Sequence, residues 1–150
     1  MKKAVRIVLA AAVLVSALPA TAQFQKPEDA VKYRQASFTV MAAHFGRIGA
    51  MVQGKVPFDA KAAQDNAALV ETMSKLPWAG FGADTETLAS KAKPEIWKEK
   101  AKFDQSSEKL LAAATALNVA AKSGNLDTIK KAFGETAATC KACHDDYRAK

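Results

Sequence analysis

Cys140-Lys141-Ala142-Cys143-His144 stands near the end of a 150-residue sequence, and the rest of the chain is read outward from it. Two thiols three positions apart on a helix lie about one turn apart, on one face. The pattern C-x-x-C-H is the attachment signature of a c-type haem. Each thiol can form a thioether with one of two neighbouring vinyl groups of a single porphyrin. The histidine beside the second cysteine can then turn a ring nitrogen to the iron. C-x-x-C alone also serves zinc sites and thioredoxin-like redox pairs. Here no other cysteine exists to complete a four-cysteine zinc site, and the one other histidine is His44. A 140–143 disulfide and a Cys2His2 zinc site using His44 are the alternatives, and haem c is the favoured reading.

The motif rides on an amphipathic helix. Asn125 follows Gly124 as a cap, Asp127 falls in the first turn, and the helix runs through the motif to near the C-terminus. Leu126, Ile129, Phe133, Ala137, Cys140, His144 and Tyr147 share a face at about 100° per residue. Both cysteines and His144 are thus expected to face the interior of a bundle, with Lys141 pointing away.

The chain upstream supplies the partners for that face. A first helix is predicted from about Pro27 to Ile48, with proline at its first position and Glu28 and Asp29 complementing its dipole. Val31, Phe38 and Phe45 recur every seven residues, with Met41 and Ile48 on the neighbouring line. Gly46, Gly49, Gly54 and Pro57 read as the linker that follows. Asp59 caps a second helix to about Leu76, with Ala63, Ala67, Val70 and Met73 on its apolar face. A third runs from Pro94 to about Lys122, with Ile96, Phe103, Leu110 and Leu117 at intervals of seven. No strand-like alternation is present. The expected fold is all-α: a left-handed, antiparallel, up-down-up-down four-helix bundle with the haem inside it.

The connection from Pro77 to Lys93 is long for a bundle. It contains Leu76-Pro77-Trp78-Ala79-Gly80-Phe81-Gly82, either a loop folded over something flat and apolar or an aromatic plug on the core. Arg34 places a charge on the buried stripe of the first helix. Either it snorkels to water near the helix end, or it pairs with a haem propionate, the reading the haem motif favours. No role is legible for residues 83–93.

The first 22 residues are not part of this fold. Lys2, Lys3 and Arg6 precede an apolar run from Ile7 to Leu18, and Ala20-Thr21-Ala22 is a small-x-small cleavage pattern. This reads as a secretory signal peptide, too short in its apolar run to span a bilayer. The expected mature chain is residues 23–150, a single domain, beginning at Gln23 and located in the periplasm of a bacterium. Loss of three positive charges takes the formal charge from +7 to +4. No basic run is interleaved with aromatics, so nucleic-acid binding is not indicated, nor is membrane insertion of the mature chain.

With these residues in hand, the sequence resembles cytochrome c′, the four-helix class of c-type cytochromes. The resemblance is carried by Lys26 to Gln35, by Leu76-Pro77-Trp78, by Pro94-Glu95-Ile96-Trp97, and by Cys140 to Arg148. It implies a five-coordinate haem with His144 as the only protein ligand. It also implies nitric oxide or carbon monoxide binding at the open face, electron transfer with an unidentified redox partner, and homodimers joined through the first two helices. Arg34 and Gln35 match positions at the haem edge. Arg148 matches a basic residue beside the proximal histidine, and it lies one turn past His144.

Function then turns on what faces the iron opposite His144. In six-coordinate members of the class a methionine on the first helix supplies that ligand. The position four after Arg34 is Phe38, which has no lone pair to donate. Met41, roughly 60° round the helix from Phe38, is the alternative ligand of a low-spin electron carrier, though core filling is the commoner role of such a methionine. His44, roughly 120° away, is a poor candidate for ligand or for the distal acid-base group of a peroxidase. No enzymatic activity is expected.

Overall fold

The apolar periodicity, the caps and the prolines act together to form the helices of the chain. The computed structural model describes residues 23–150. The signal read in residues 1–22 lies outside the described residues. Helix α1 spans Pro27–Val52, with Pro27 in its first turn beside Glu28 and Asp29. It runs one turn beyond the predicted end, straight through Gly46 and Gly49. Each helical glycine costs about 1 kcal/mol against alanine. Burial of Ile48, Met51 and Val52 offsets that penalty. At Gly49 the missing side chain also has a use. A Cβ there would sit 3.0 Å from the Phe133 ring, which stacks on Phe45 with ring centroids 4.2 Å apart. The chain reverses later, at Gly54, whose φ of 69° favours glycine.

Helix α2 spans Ala60–Ser74, and the Asp59 side chain accepts from the Ala62 N–H at 3.0 Å. The predicted third helix is divided. A single turn, α3, covers Glu95–Lys98, Glu99 leaves helical geometry, and α4 runs Lys100–Lys122. The break allows α3 to lean toward the preceding connection: Ile96 is buried there and the Trp97 Nε1–H donates to the Gly82 carbonyl at 3.0 Å. Helix α5 spans Leu126–Tyr147, capped by Asn125, whose side chain accepts from the Thr128 N–H at 2.9 Å. Nothing in the structure accounts for Gly134 within it.

The four long helices form the up-down-up-down bundle, α1 on α2, α2 on α4 and α4 on α5. Its core is two apolar clusters. The larger is built on Met41, Ile48, Ala67, Val70, Leu110, Leu117 and Ile129. Alanines at 63, 67, 114 and 121 let the helices approach closely around it. The smaller cluster is aromatic, with Phe81, Ile96, Phe103 and Tyr147 buried together. Each fully buried aliphatic or aromatic side chain contributes about 1.5–3 kcal/mol.

A polar clamp joins α2 to α4. The Glu71 carboxylate accepts from Thr115 Oγ1 at 3.1 Å and from Asn118 Nδ2 at 2.5 Å, with Lys75 Nζ 3.7 Å away. The Asn118 bond is the main reason that the Glu71 pKa is lowered. A carboxyl whose pKa falls on folding stabilises the protein above its unfolded value. That contribution is lost as pH falls through the folded value. Glu71→Gln should therefore be less stable than wild type to urea at neutral pH. The gap should narrow as pH falls below the ordinary carboxylate range.

The connection between α2 and α3 is ordered by short turns at Pro77–Gly80 and Ala83–Thr85. Gly80 is where it crosses α1. A Cβ at Gly80 would lie 2.6 Å from the Ala30 carbonyl oxygen and 2.8 Å from Arg34 Cβ. Gly80→Ala must push the connection off α1, at about 1–3 kcal/mol, and urea denaturation will show it.

Candidate cofactor site

The face of α5 that the sequence presents as one is divided into two stripes. Ile129, Ala132, Thr136 and Tyr147 form the deeply buried stripe. Leu126, Phe133, Ala137 and Cys140 form a half-buried stripe beside it, and His144 at its end is exposed rather than interior. The reason is that α5 packs chiefly on α4, while its flank meets α1 through Phe133 on Phe45. Cys140 packs against the larger apolar cluster and Cys143 against the aromatic one. The two thiols thus sit where the two clusters meet.

Both thiols are free, so the disulfide alternative is not formed. Among the described residues no group of three or more His, Cys, Asp or Glu side chains could hold a metal ion. His44 in particular is turned to α2, where its Nδ1 lies 2.8 Å from Asn66 Oδ1. Asn66 Nδ2 donates to the Ala62 carbonyl, which leaves Oδ1 as the acceptor for His44. Burial pushes the Cys140 thiol up, and burial followed by the charges of Cys140 and Asp146 pushes Cys143 up to about 11. Reactive redox pairs need the opposite shift. Desolvation, reinforced by the positive charge of Arg148, lowers the His144 pKa against the opposing pull of Asp145. The neutral imidazole this favours is the metal-ligating form.

Phe38 and Trp78 pack against both clusters and so mark the same junction from the α1 side. Phe38 meets Trp78 edge-on at 5.8 Å and Phe81 at 6.4 Å. Trp78 is half-buried, its Nε1–H donating to the Ser74 carbonyl at 2.6 Å. Met41 is buried in the larger cluster. Two free thiols one turn apart, a neutral imidazole beside them and a facing apolar junction fit an iron porphyrin tethered through its vinyl groups.

Arg34 does not snorkel: it is 2% exposed. Its Nη1 donates to the Gly80 carbonyl at 2.7 Å and to Thr85 Oγ1 at 3.0 Å, and its Nη2 donates to Ser90 Oγ at 3.0 Å. The guanidinium lies 4.4 Å from the centroid of the Phe81 ring. These bonds occupy three of its five N–H groups, leaving Nε and one Nη2 hydrogen for a further acceptor. Gln35 is exposed and does not join the buried residues. Arg148 is exposed, caps α5 and donates its N–H to the His144 carbonyl at 3.1 Å.

Thr85, Ser90 and Lys93 were not legible as site residues. Residues 83–93 form a strap from Arg34 to the end of α5. Lys93 N–H donates to the Tyr147 carbonyl at 3.0 Å and Ala149 N–H to the Lys91 carbonyl at 2.8 Å, around an isolated bridge between Ala92 and Arg148. Only the unusual length of the connection hinted at this in the sequence. Tyr147, 3% exposed, has no partner for its hydroxyl among the described residues.

Four helices, two free thiols and an adjacent imidazole define a c-type haem protein built on a helical bundle. Comparison with known proteins agrees. The family model described as Cytochrome C' matches residues 29–148. Cytochrome c′ of Rubrivivax gelatinosus is 50% identical over 129 residues, covering 85% of this chain and 100% of that one. Its crystal structure superposes with a TM-score of 0.82. Cytochrome c′ of Alcaligenes xylosoxydans xylosoxydans is 48% identical over 128 residues, covering 85% of this chain and 99% of that one. A solved structure described as a nitric oxide complex of a mutant cytochrome c prime from Alcaligenes xylosoxidans is 47% identical, with a TM-score of 0.80 and the same coverage. The chain belongs to the cytochrome c′ family. Its cofactor is haem c, carried covalently on Cys140 and Cys143.

Proposed function

We propose that this is a periplasmic haem c protein that captures small neutral gases, nitric oxide above all and carbon monoxide with it, at a five-coordinate iron held only by His144. The haem supplies an iron that can bind a diatomic ligand or exchange one electron. The chain's own residues determine which ligands reach it. The observation that carries the reading is Phe38, held edge-on between Trp78 and Phe81 at the junction faced by the cysteines. Its ring fills space and offers neither a lone pair nor a hydrogen bond. Water and anions gain nothing there, whereas a strong neutral ligand needs no distal donor. The nitric oxide complex of a mutant of the Alcaligenes xylosoxidans relative supports this choice of ligand.

Two further observations favour five-coordination. Met41 is committed to the core, and His44 is bonded to α2. The second of these also sets His44 against service as the distal acid-base group of a peroxidase. Among the described residues no helix is long and apolar enough to cross a membrane. Val40 and Leu69, exposed on α1 and α2, fit the homodimer contact that the family resemblance implies. Visible spectra of the purified protein in both oxidation states test the reading. High-spin, five-coordinate iron is expected, with nitric oxide and carbon monoxide binding to the ferrous form. A low-spin, six-coordinate spectrum at neutral pH would overturn it in favour of Met41 as second ligand.

A further inference from the structure

The last turn of α5 carries Cys143 and His144, and of its four final carbonyls only that of His144 keeps an i→i+4 partner. They are satisfied in an unusual way. The His144 carbonyl accepts from the Arg148 N–H at 3.1 Å. The other three are taken by a single residue of the strap. Lys93 Nζ donates to the Asp145 carbonyl at 2.9 Å and the Asp146 carbonyl at 3.0 Å, while its backbone N–H donates to the Tyr147 carbonyl at 3.0 Å. A lysine ammonium at a helix C-terminus also meets the negative end of the helix dipole. The opposite end of the strap is pinned to α1 by Arg34 through Thr85 and Ser90.

We propose that Lys93 is a positioning residue for the proximal histidine. It fixes the helical turn on which His144 stands, and so the direction from which the imidazole meets the iron. This rests on the reading of His144 as the axial ligand. Without the ammonium the Asp145 and Asp146 carbonyls must turn to water. The last turn then frays, and the imidazole samples several orientations.

The test uses the haem-loaded protein as wild type, Lys93→Met and Lys93→Arg. Methionine keeps an unbranched apolar stem and the backbone bond to Tyr147 but removes the donor. The ferrous iron–histidine stretching band in resonance Raman reports imidazole orientation, and amide exchange at Arg148 and Ala149 reports the cap. Lys93→Met is expected to shift and broaden the band and to speed exchange about tenfold, with both restored toward wild type in Lys93→Arg. A wild-type band in Lys93→Met overturns the proposal, whether or not exchange or global stability changes. Absence of an iron–histidine band from the wild-type protein would overturn the His144 reading itself, and the positioning role with it.

Discussion

Arg34→Met unfolds about 10 °C below the wild-type protein in a thermal melt of the haem-loaded form. The size of the effect follows from where the charge sits. Arg34 is buried, and its guanidinium bridges the Gly80 carbonyl, Thr85 Oγ1 and Ser90 Oγ while lying against the Phe81 ring. Methionine keeps the apolar stem and removes every one of these bonds. Thr85 retains its bond to the Gly82 carbonyl, and Ser90 still accepts from the Ala92 N–H. The buried Gly80 carbonyl loses the Arg34 donor. Losing several hydrogen bonds to a charged donor and stranding one acceptor costs about 3 kcal/mol. Arg34→Lys recovers only part of this, because a point charge cannot reproduce a planar fork reaching three acceptors. Protease susceptibility within residues 80–93 rises in both variants and more in Arg34→Met. A melting temperature within a degree or two of wild type would show that the strap is held by other means.

The same residue shows where reading the sequence succeeds and stops. Helix positions are encoded locally. Asp59 and Asn125 cap where their side-chain chemistry requires, and proline opens α1 as predicted. Cysteine and histidine spacing is legible because covalent attachment to one rigid ring tolerates little variation. The misses all involve a local signal overridden by a distant one. Gly46 and Gly49 read as a break, yet burial of Met51 and Val52 carries α1 past them. The regular spacing from Ile96 to Leu117 reads as one helix, yet the docking of Ile96 and Trp97 on the connection divides it at Glu99. Angular arithmetic gave α5 one inward face because it assumes one neighbour, whereas α5 is shared unequally between α4 and α1. Arg34 was recognised as a buried charge, but its partners Gly80, Thr85 and Ser90 lie 46 to 56 residues away in a stretch without pattern. A polar residue in a polar loop carries no mark of what it will bond.

Phe38→Ala raises the affinity of the ferrous protein for carbon monoxide by about ten- to a hundredfold. On the proposed reading, a gas reaches the iron opposite His144 only when the Phe38 ring leaves its seat against Trp78 and Phe81. Aromatic pairs at such separations contribute about 0.5–1.5 kcal/mol each beyond their area. Breaking two of them opposes binding by about 1–3 kcal/mol, which is the stated range in affinity. Alanine removes the opposition along with the ring. The gain should appear in the association rate, because the displaced ring obstructs entry and makes no bond to the ligand once aside. Phe38→Leu, flexible and smaller, should fall between the two. Truncating a half-buried phenylalanine also lowers stability, by about 2 kcal/mol, so rates are compared at a temperature where all variants are folded. The prediction separates two accounts of the same side chain. If Phe38 only fills the junction of the two clusters, Phe38→Ala destabilises the bundle and leaves carbon monoxide kinetics unchanged. If it gates the iron, stability falls while association quickens, and no packing role alone produces that opposite pair of changes.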